Sequence, residues 1–337
     1  MKNLSCHGNN IISFCKLVFF LIIIILNSVP IFAQRRISLR LASPLPENSP
    51  VGRILDQAAS DIERITNGDV QLIVYHYGVA GDELDVVRKL RGNQIQAALL
   101  SDTGLYESMP ELSVFQYPFL FRNNNEVELA LQQIRNSSTL QSSGFITLVL
   151  SQYDWCKIFS QRIWSSRDRS YSDPDLNYIK QNSTINVFSN LQNIAEALTI
   201  MGFQVNRISD FKDVSSGGSD VIITTTGIMS IHRNYINYIF YLMQDINVAP
   251  ALCGILINRT AWIRIPDRYK PQIIDIFRTV ESQFMDIYIT NISDSVNNQE
   301  TQTFYNEHEI YENRLVGTIF DRTYFQIIKN AIQDYRR

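Results

Sequence analysis

Histidine, cysteine, glycine and basic charge are all scarce in this chain, and each shortage removes a class of function. Among 337 residues there are four His, four Cys and 14 Gly, and 30 Lys and Arg stand against 33 Asp and Glu for a net charge of -3. Without a basic excess the chain is no polybasic nucleic-acid binder. So few glycines argue against a glycine-rich phosphate cradle, and no Walker-type loop or G-x-S-x-G elbow occurs. Of His7, His76, His232 and His308, the last begins His308-Glu309 but lacks the second His that a helical zinc site needs four residues on. His76 lies between two tyrosines at a strand end and reads as a hydrogen-bonded structural residue. Catalysis, a metal and a cofactor therefore find no support. What is plentiful is apolar surface, at 45% hydrophobic and 11% aromatic residues, enough for a packed core and about two domains.

The first 33 residues stand apart. Lys2 and Lys16 precede an apolar run from Leu17 to Leu26, and Pro30-Ile31-Phe32-Ala33 offers a small residue before Gln34. This is the pattern of a secretory signal peptide, and extension of the apolar run through Phe32 leaves an uncleaved anchor as the alternative. Cys6 and Cys15 both precede the run, so no Cys sits where a lipoprotein signal would place one. Removal of residues 1–33 takes away those two Lys and no acid, leaving 28 basic against 33 acidic residues and a net charge of -5. Only Cys156 and Cys253 remain, either as one bridge or as two buried thiols.

Along the exported part, strand and helix patterns alternate. Ile37 to Ala42 reads as a buried strand, and Ser49-Pro50 starts a helix whose apolar residues recur to Ile65 before Asn67-Gly68. Val70 to Tyr75, a short helix from Leu84 to Leu90 and the strand Ile95 to Leu100 follow. A helix is expected over Glu126 to Ile134 and a strand over Phe145 to Ser151. The alternation restarts with strand Thr184 to Phe188, helix Leu191 to Met201, and strands Gln204 to Ile208 and Asp220 to Thr225. Pro266 to about Ile292 carries one long helical pattern, and the polar stretch Ser165 to Asn182 reads as a surface excursion. The order predicts an α/β protein with a mixed, mostly parallel sheet, because parallel strands need crossover helices.

Several local runs belong together. They are Leu41-Ala42-Ser43-Pro44-Leu45-Pro46-Glu47-Asn48-Ser49-Pro50-Val51-Gly52, the Thr66-Asn67-Gly68 turn, Ala80-Gly81-Asp82-Glu83 and Leu90-Arg91-Gly92. The strongest is Tyr117-Pro118-Phe119-Leu120-Phe121-Arg122, which follows Met109-Pro110-Glu111-Leu112. With these residues the chain resembles the DctP-type solute receptors of tripartite ATP-independent periplasmic (TRAP) transporters, closely in the first third and loosely beyond. The resemblance implies a two-lobed periplasmic receptor with hinge strands and a long helix spanning both lobes. It places lobe I at residues 34–152 plus about 226–256, lobe II at about 153–225 plus 257–292, and C-terminal helices across both at 293–337. A ligand would be held between the lobes and passed to the permease, with a tetratricopeptide-repeat protein as a further partner in one variant group.

The departures bear on the ligand. Where typical members read Lys-Ile-Arg-Val, with an Arg that clamps a ligand carboxylate, this chain reads Thr184-Ile185-Asn186-Val187. The segments that supply further contacts read Ser209-Asp210-Phe211 and Ile223-Thr224-Thr225. The resemblance thus implies a ligand set of Tyr77, Ser101, Phe119, Trp155, Lys157, Asn186, Phe188, Asp210 and Thr224. Loss of the Arg, beside aromatic Tyr77, Phe119, Trp155 and Phe188, leads to the expectation of a largely apolar or neutral ligand, with Lys157 able to rescue a carboxylate. Each aromatic taken alone reads as core before ligand contact. The competing expectation is an interaction or sensory partner that keeps the fold and has lost its ligand.

Overall fold

A computed structural model of the chain describes residues 36–136, 144–160, 176–211, 213–214, 221–232, 241–289 and 299–337. The expected export segment, most of the expected surface excursion and residues 290–292 of the expected long helix lie outside them. Among the described residues, no helix is long and apolar enough to cross a membrane.

The first third folds as its pattern dictates. Strands β1 (Ile37–Ala42), β2 (Val70–Tyr75) and β3 (Ala97–Leu100) are parallel with β1 in the middle, joined by helices α1 (Pro50–Ile65) and α2 (Glu83–Arg91). Ser49 accepts a hydrogen bond from the Gly52 amide and Pro50 takes the first turn. That pairing satisfies one orphan donor and places a residue without N–H where none is needed. A second parallel triplet has β5 (Thr184–Phe188) between β6 (Gln204–Ile208) and β7 (Val221–Thr225), with helix α6 (Gln192–Ile200) as crossover.

Two long strands join the triplets. β4 (Phe145–Ser160) and β8 (Tyr241–Asn258) run antiparallel to each other, and the eight strands form one sheet of order β2-β1-β3-β8-β4-β7-β5-β6. The mixed α/β sheet is as expected, but the expected strand at Phe145 stops nine residues short of Ser160, and most of β8 carried no strand signal. Pro250 lies within β8 and pairs with Trp155. A proline gives no N–H to the ladder and argues against a central strand, which is why the pattern misleads. The ladder accommodates it with register shifts between Gln152 and Asp154 and between Cys156 and Lys157. Such bulges bend a strand and increase its twist.

Helices cover both faces. On one, α1 and the long helix α9 (Lys270–Ile289) bury Leu41, Leu55, Phe277 and Phe284 in one cluster with Cys253. Glu281 on α9 accepts hydrogen bonds from the Leu150 amide and from Arg135, both at 2.9 Å, and so fastens that helix to β4. The opposite face packs Leu105, Phe115, Leu131, Ile194 and Phe325 around Cys156. Cys156 and Cys253 are free thiols in different clusters, so the bridge left open by the sequence does not form. Burial pushes both thiols well above their ordinary range, which leaves them inert.

The family-like run from Tyr117 to Arg122 is packing. Tyr117 sits 5.0 Å from both Phe320 and Phe325, and Phe121 stacks on Phe115 at 5.4 Å. Phe119, buried at φ +63°, donates its amide to Val248 O on β8 at 2.7 Å. From the last helix, Arg336 donates to both Glu126 oxygens at 2.8 Å and to Leu120 O at 2.9 Å.

Gly254 marks a close approach of the two long strands, since an added Cβ would lie 2.8 Å from Val149 O of β4. We expect Gly254→Ala to lower stability by about 1–3 kcal/mol through overpacking. Urea unfolding checks this, and an unchanged midpoint contradicts the close approach.

Candidate functional site

The pairing registers define where a site can form. β3 ends at Leu100, opposite Gly254 of β8, and Gly254 in turn pairs with Leu150 of β4. β7, running the other way, ends at Thr225, opposite Cys156 of β4. Between those points the described sheet consists of β4 and β8 alone, over residues 151–155 and 250–253. The carboxyl ends of the two triplets therefore face each other across the stretch that holds Pro250 and the first bulge. In open α/β sheets ligands sit outside carboxyl ends of parallel strands, and here two such ends converge.

Two carboxylates tie the triplets to this bare stretch. Helix α3 (Asp102–Ser108) follows β3, and Asp102 Oδ1 accepts from the Leu252 amide at 2.9 Å and from the Tyr106 hydroxyl at 2.8 Å. Helix α7 (Thr226–His232) follows β7, and Asp154 of β4 accepts from Thr226 Oγ1 at 2.6 Å and the Gly227 amide at 2.8 Å. Glu83 closes the start of α3 from the side, accepting from Ser101 N, Ser101 Oγ and Gly104 N at 2.8–3.0 Å. Helix starts are positive and attract anions, so the chain's own carboxylates already fill these two.

Beside them opens a cleft of about 730 Å³. Thr103, Tyr106, Glu111 and Gln116 line it from the first triplet's side, Ser189, Asn190 and Asn193 from the loop and helix after β5, and Asp321 from the start of helix α11 (Arg322–Arg336). Its size is that of a small-molecule site, and its lining is polar.

None of the nine expected ligand residues is among those lining this cleft. Ser101 and Phe188 come nearest in the chain, two positions from Thr103 and one from Ser189. Lys157 and Thr224 stand directly opposite each other on β4 and β7, with Asn247 of β8 on the other flank of Lys157, and all three are buried. In this inner row Thr224 Oγ1 and Asn247 Oδ1 have no hydrogen-bond partner among the described residues. Asn186 is fully buried, donating to Val221 O at 3.3 Å and accepting from Asn206 at 2.9 Å. Its amide is thus engaged by both neighbouring strands. Trp155 is core, with its indole N–H on Asn124 at 2.8 Å, and Phe119 is core as described above. Phe188 packs on Phe211 at 4.8 Å, beside exposed Asp210, and Tyr77 is exposed at φ +60°.

An apolar cleft is therefore corrected to a polar one: two of the four aromatics serve the core, and a third packs against another ring. The lining residues Glu111, Gln116 and Asn190 are absent from the expected ligand set; the first two lie in the 3-10 segment Pro110–Gln116, whose Met109-Pro110-Glu111-Leu112 run marks the fold and not the cleft. No local signal sets these residues apart, since distant segments bring them together.

Comparison with known proteins bears on the fold. Residues 41–148 match the family model of DctP, the bacterial extracellular solute-binding protein, family 7. A solute-binding protein of Chromohalobacter salexigens is 27% identical over 82 residues, a match that spans 24% of this chain and 24% of that relative. Among solved structures, a TRAP periplasmic solute-binding protein from Ochrobactrum anthropi, with its C-terminus bound in its ligand-binding pocket, gives a TM-score of 0.71 at 11% identity, covering 90% of this chain and 97% of that one. Another from Chromohalobacter salexigens with bound D-glucuronate gives 0.67 at 13% identity, over 88% and 99%. One from Desulfovibrio salexigens with bound orotic acid gives 0.63 at 14%, over 90% and 99%. The fold is that of TRAP periplasmic solute-binding proteins, as the resemblance implied, and the proteins it matches are receptors and not enzymes.

Asp102 makes the site pH-sensitive. Burial raises its carboxyl to about 7, against the opposing hydrogen bonds from Leu252 and Tyr106. The unfolded chain gives up this proton near pH 4, so the stabilisation is fully present below that and is lost as pH rises through about 7. The loss is on the order of 4 kcal/mol. Thermal melts should fall between pH 5 and 8 and flatten in Asp102→Asn. Equal slopes for both proteins contradict the assignment.

Proposed function

We propose that this chain is an extracytoplasmic receptor that captures a small polar solute between two lobes and delivers it to a TRAP-type membrane permease. The lobes centre on the two parallel triplets, with β4 and β8 as hinge strands. The observation that carries this reading is the facing of two sets of carboxyl ends across a bare, bulged stretch. A bend there brings Thr103 and Gln116 towards Ser189 and Asn190, which is hinge closure around a ligand. Periplasmic placement and the permease follow from the likeness to TRAP receptors, and a tetratricopeptide-repeat protein is a further partner consistent with the altered clamp.

The polar lining favours a solute held by hydrogen bonds over an apolar one. Lys157 is 2% exposed and Thr224 1%, so the inner row is closed to solvent and the first contacts come from the open cleft. A second reading, a partner protein that keeps the fold without a ligand, draws on Asn186. Its amide is fully engaged where typical members place an Arg.

Native mass spectrometry of protein purified without refolding tests the proposal. We expect a bound solute that dissociates on denaturation, and its loss in Ser113→Trp, which places an indole in the cleft. Release of nothing favours the second reading. Retention in Ser113→Trp with loss in Lys157→Met moves the site to the inner row.

A further inference from the structure

We infer that the outer edge of β4 takes an extended acidic segment of a partner protein as an added strand. Along Phe145 to Leu150, β4 pairs with β8 on one side, and β7 joins its other side only from Cys156 onward. Among the described residues this stretch is therefore an edge of the sheet. Such an edge carries N–H and C=O groups that point away from the ladder and suit another chain. At Leu150 both are taken by side chains: the amide donates to Glu281 of α9, and the carbonyl accepts from Arg135 of helix α4 (Asn124–Asn136). Those two side chains also pair with each other at 2.9 Å, which closes the edge at that end. From Phe145 to Val149, roughly 16 Å at about 3.3 Å per residue, no side chain makes such a plug among the described residues.

A groove of about 370 Å³ lies along this edge. Ile146, Leu148 and Ile274 give it an apolar lining, and Leu148 is the extra residue of a bulge, with no residue opposite it on β8. Its charge is positive. Arg135, Arg259 of helix α8 (Arg259–Ile263) and Arg278 of α9 line it, against Glu281 as the one carboxylate among the described lining residues. Arg135 and Glu281 offset each other, which leaves Arg259 and Arg278 to set the sign. Arg278 pairs with Asp275 at 2.9 Å, but both are exposed, and such a pair holds its members weakly, so Arg278 can turn to an incoming carboxylate. In a chain with a net charge of -3, this local excess selects an acidic occupant. It also disfavours a second copy, because pairing two β4 edges about a two-fold axis sets each arginine cluster against its own image. None of these residues lines the cleft, so the surface is independent of the solute site.

Labelled hexapeptides test this by fluorescence anisotropy on the natively purified protein at low salt: a Glu-Val repeat, a Lys-Val repeat, and a Glu-Pro repeat that keeps the charge but lacks alternate amides. The Glu-Val peptide should bind about tenfold or more tightly than either control. It should slow hydrogen exchange at 145–149 and lose about tenfold in affinity in Arg278→Glu, whose exposed position leaves the melting temperature unchanged. Arg259→Gln should weaken binding severalfold. Equal binding of the Glu-Val and Lys-Val peptides, undiminished binding of the Glu-Pro peptide, or no binding at all overturns the inference. Displacement by glutarate at the peptide's own concentration overturns it as well, since that marks a site for small anions only, and so does self-association of the chain that protects 145–149.

Discussion

The antiparallel pairing of β4 with β8 is the constraint on which the rest depends. Each of the two parallel triplets has its own crossover connection and a buried face, and within the sheet they join through these strands. Because β3 ends opposite Gly254 and β7 opposite Cys156, the pair runs unaccompanied for a few residues. Pro250 removes a ladder donor there and one of the ladder's register shifts falls beside it. A sheet with a thin waist bends at the waist. Asp102 and Asp154 bind the helix that follows the last strand of each triplet to that waist.

The same arrangement explains the chemistry of the cleft. Strand ends with helices starting from them create positive potential, and many binding proteins use it for anions. Here Glu83 and Asp154 consume it, the position expected to hold a clamping Arg holds a satisfied Asn186, and Lys157 lies under the surface. What remains accessible is hydroxyl, amide and carboxylate. The likeness to solved TRAP solute-binding proteins, one with bound D-glucuronate and one with bound orotic acid, lies in the fold, and ligand choice lies in side chains that differ at 11–14% identity.

Much of the fold was legible because its signals are local. Ser49-Pro50 starts α1, Asp82 starts α2, and every triplet strand but β6 carries an apolar run or alternation. The waist was not, since Asp154 and Pro250 each read against a central strand, and only the pairing of β4 with β8 makes them part of one. The site was less legible still. The family-like run from Tyr117 to Arg122 points to the right fold, yet its rings pack the C-terminal helices and touch no cleft. Gln116 precedes that run and carries no pattern of its own; only three-dimensional packing brings it to the cleft wall.

Hydrogen exchange on the natively purified protein, with its bound solute and after stripping, tests the central claim most directly. The account predicts slow exchange along 145–150 and 254–258 in both states, where β4 and β8 are paired and covered. It predicts solute-dependent protection concentrated at 101–116, 189–193 and the waist residues 151–155 and 250–253. Protection that falls elsewhere, with the waist unchanged between the two states, would contradict a cleft that closes about β4 and β8.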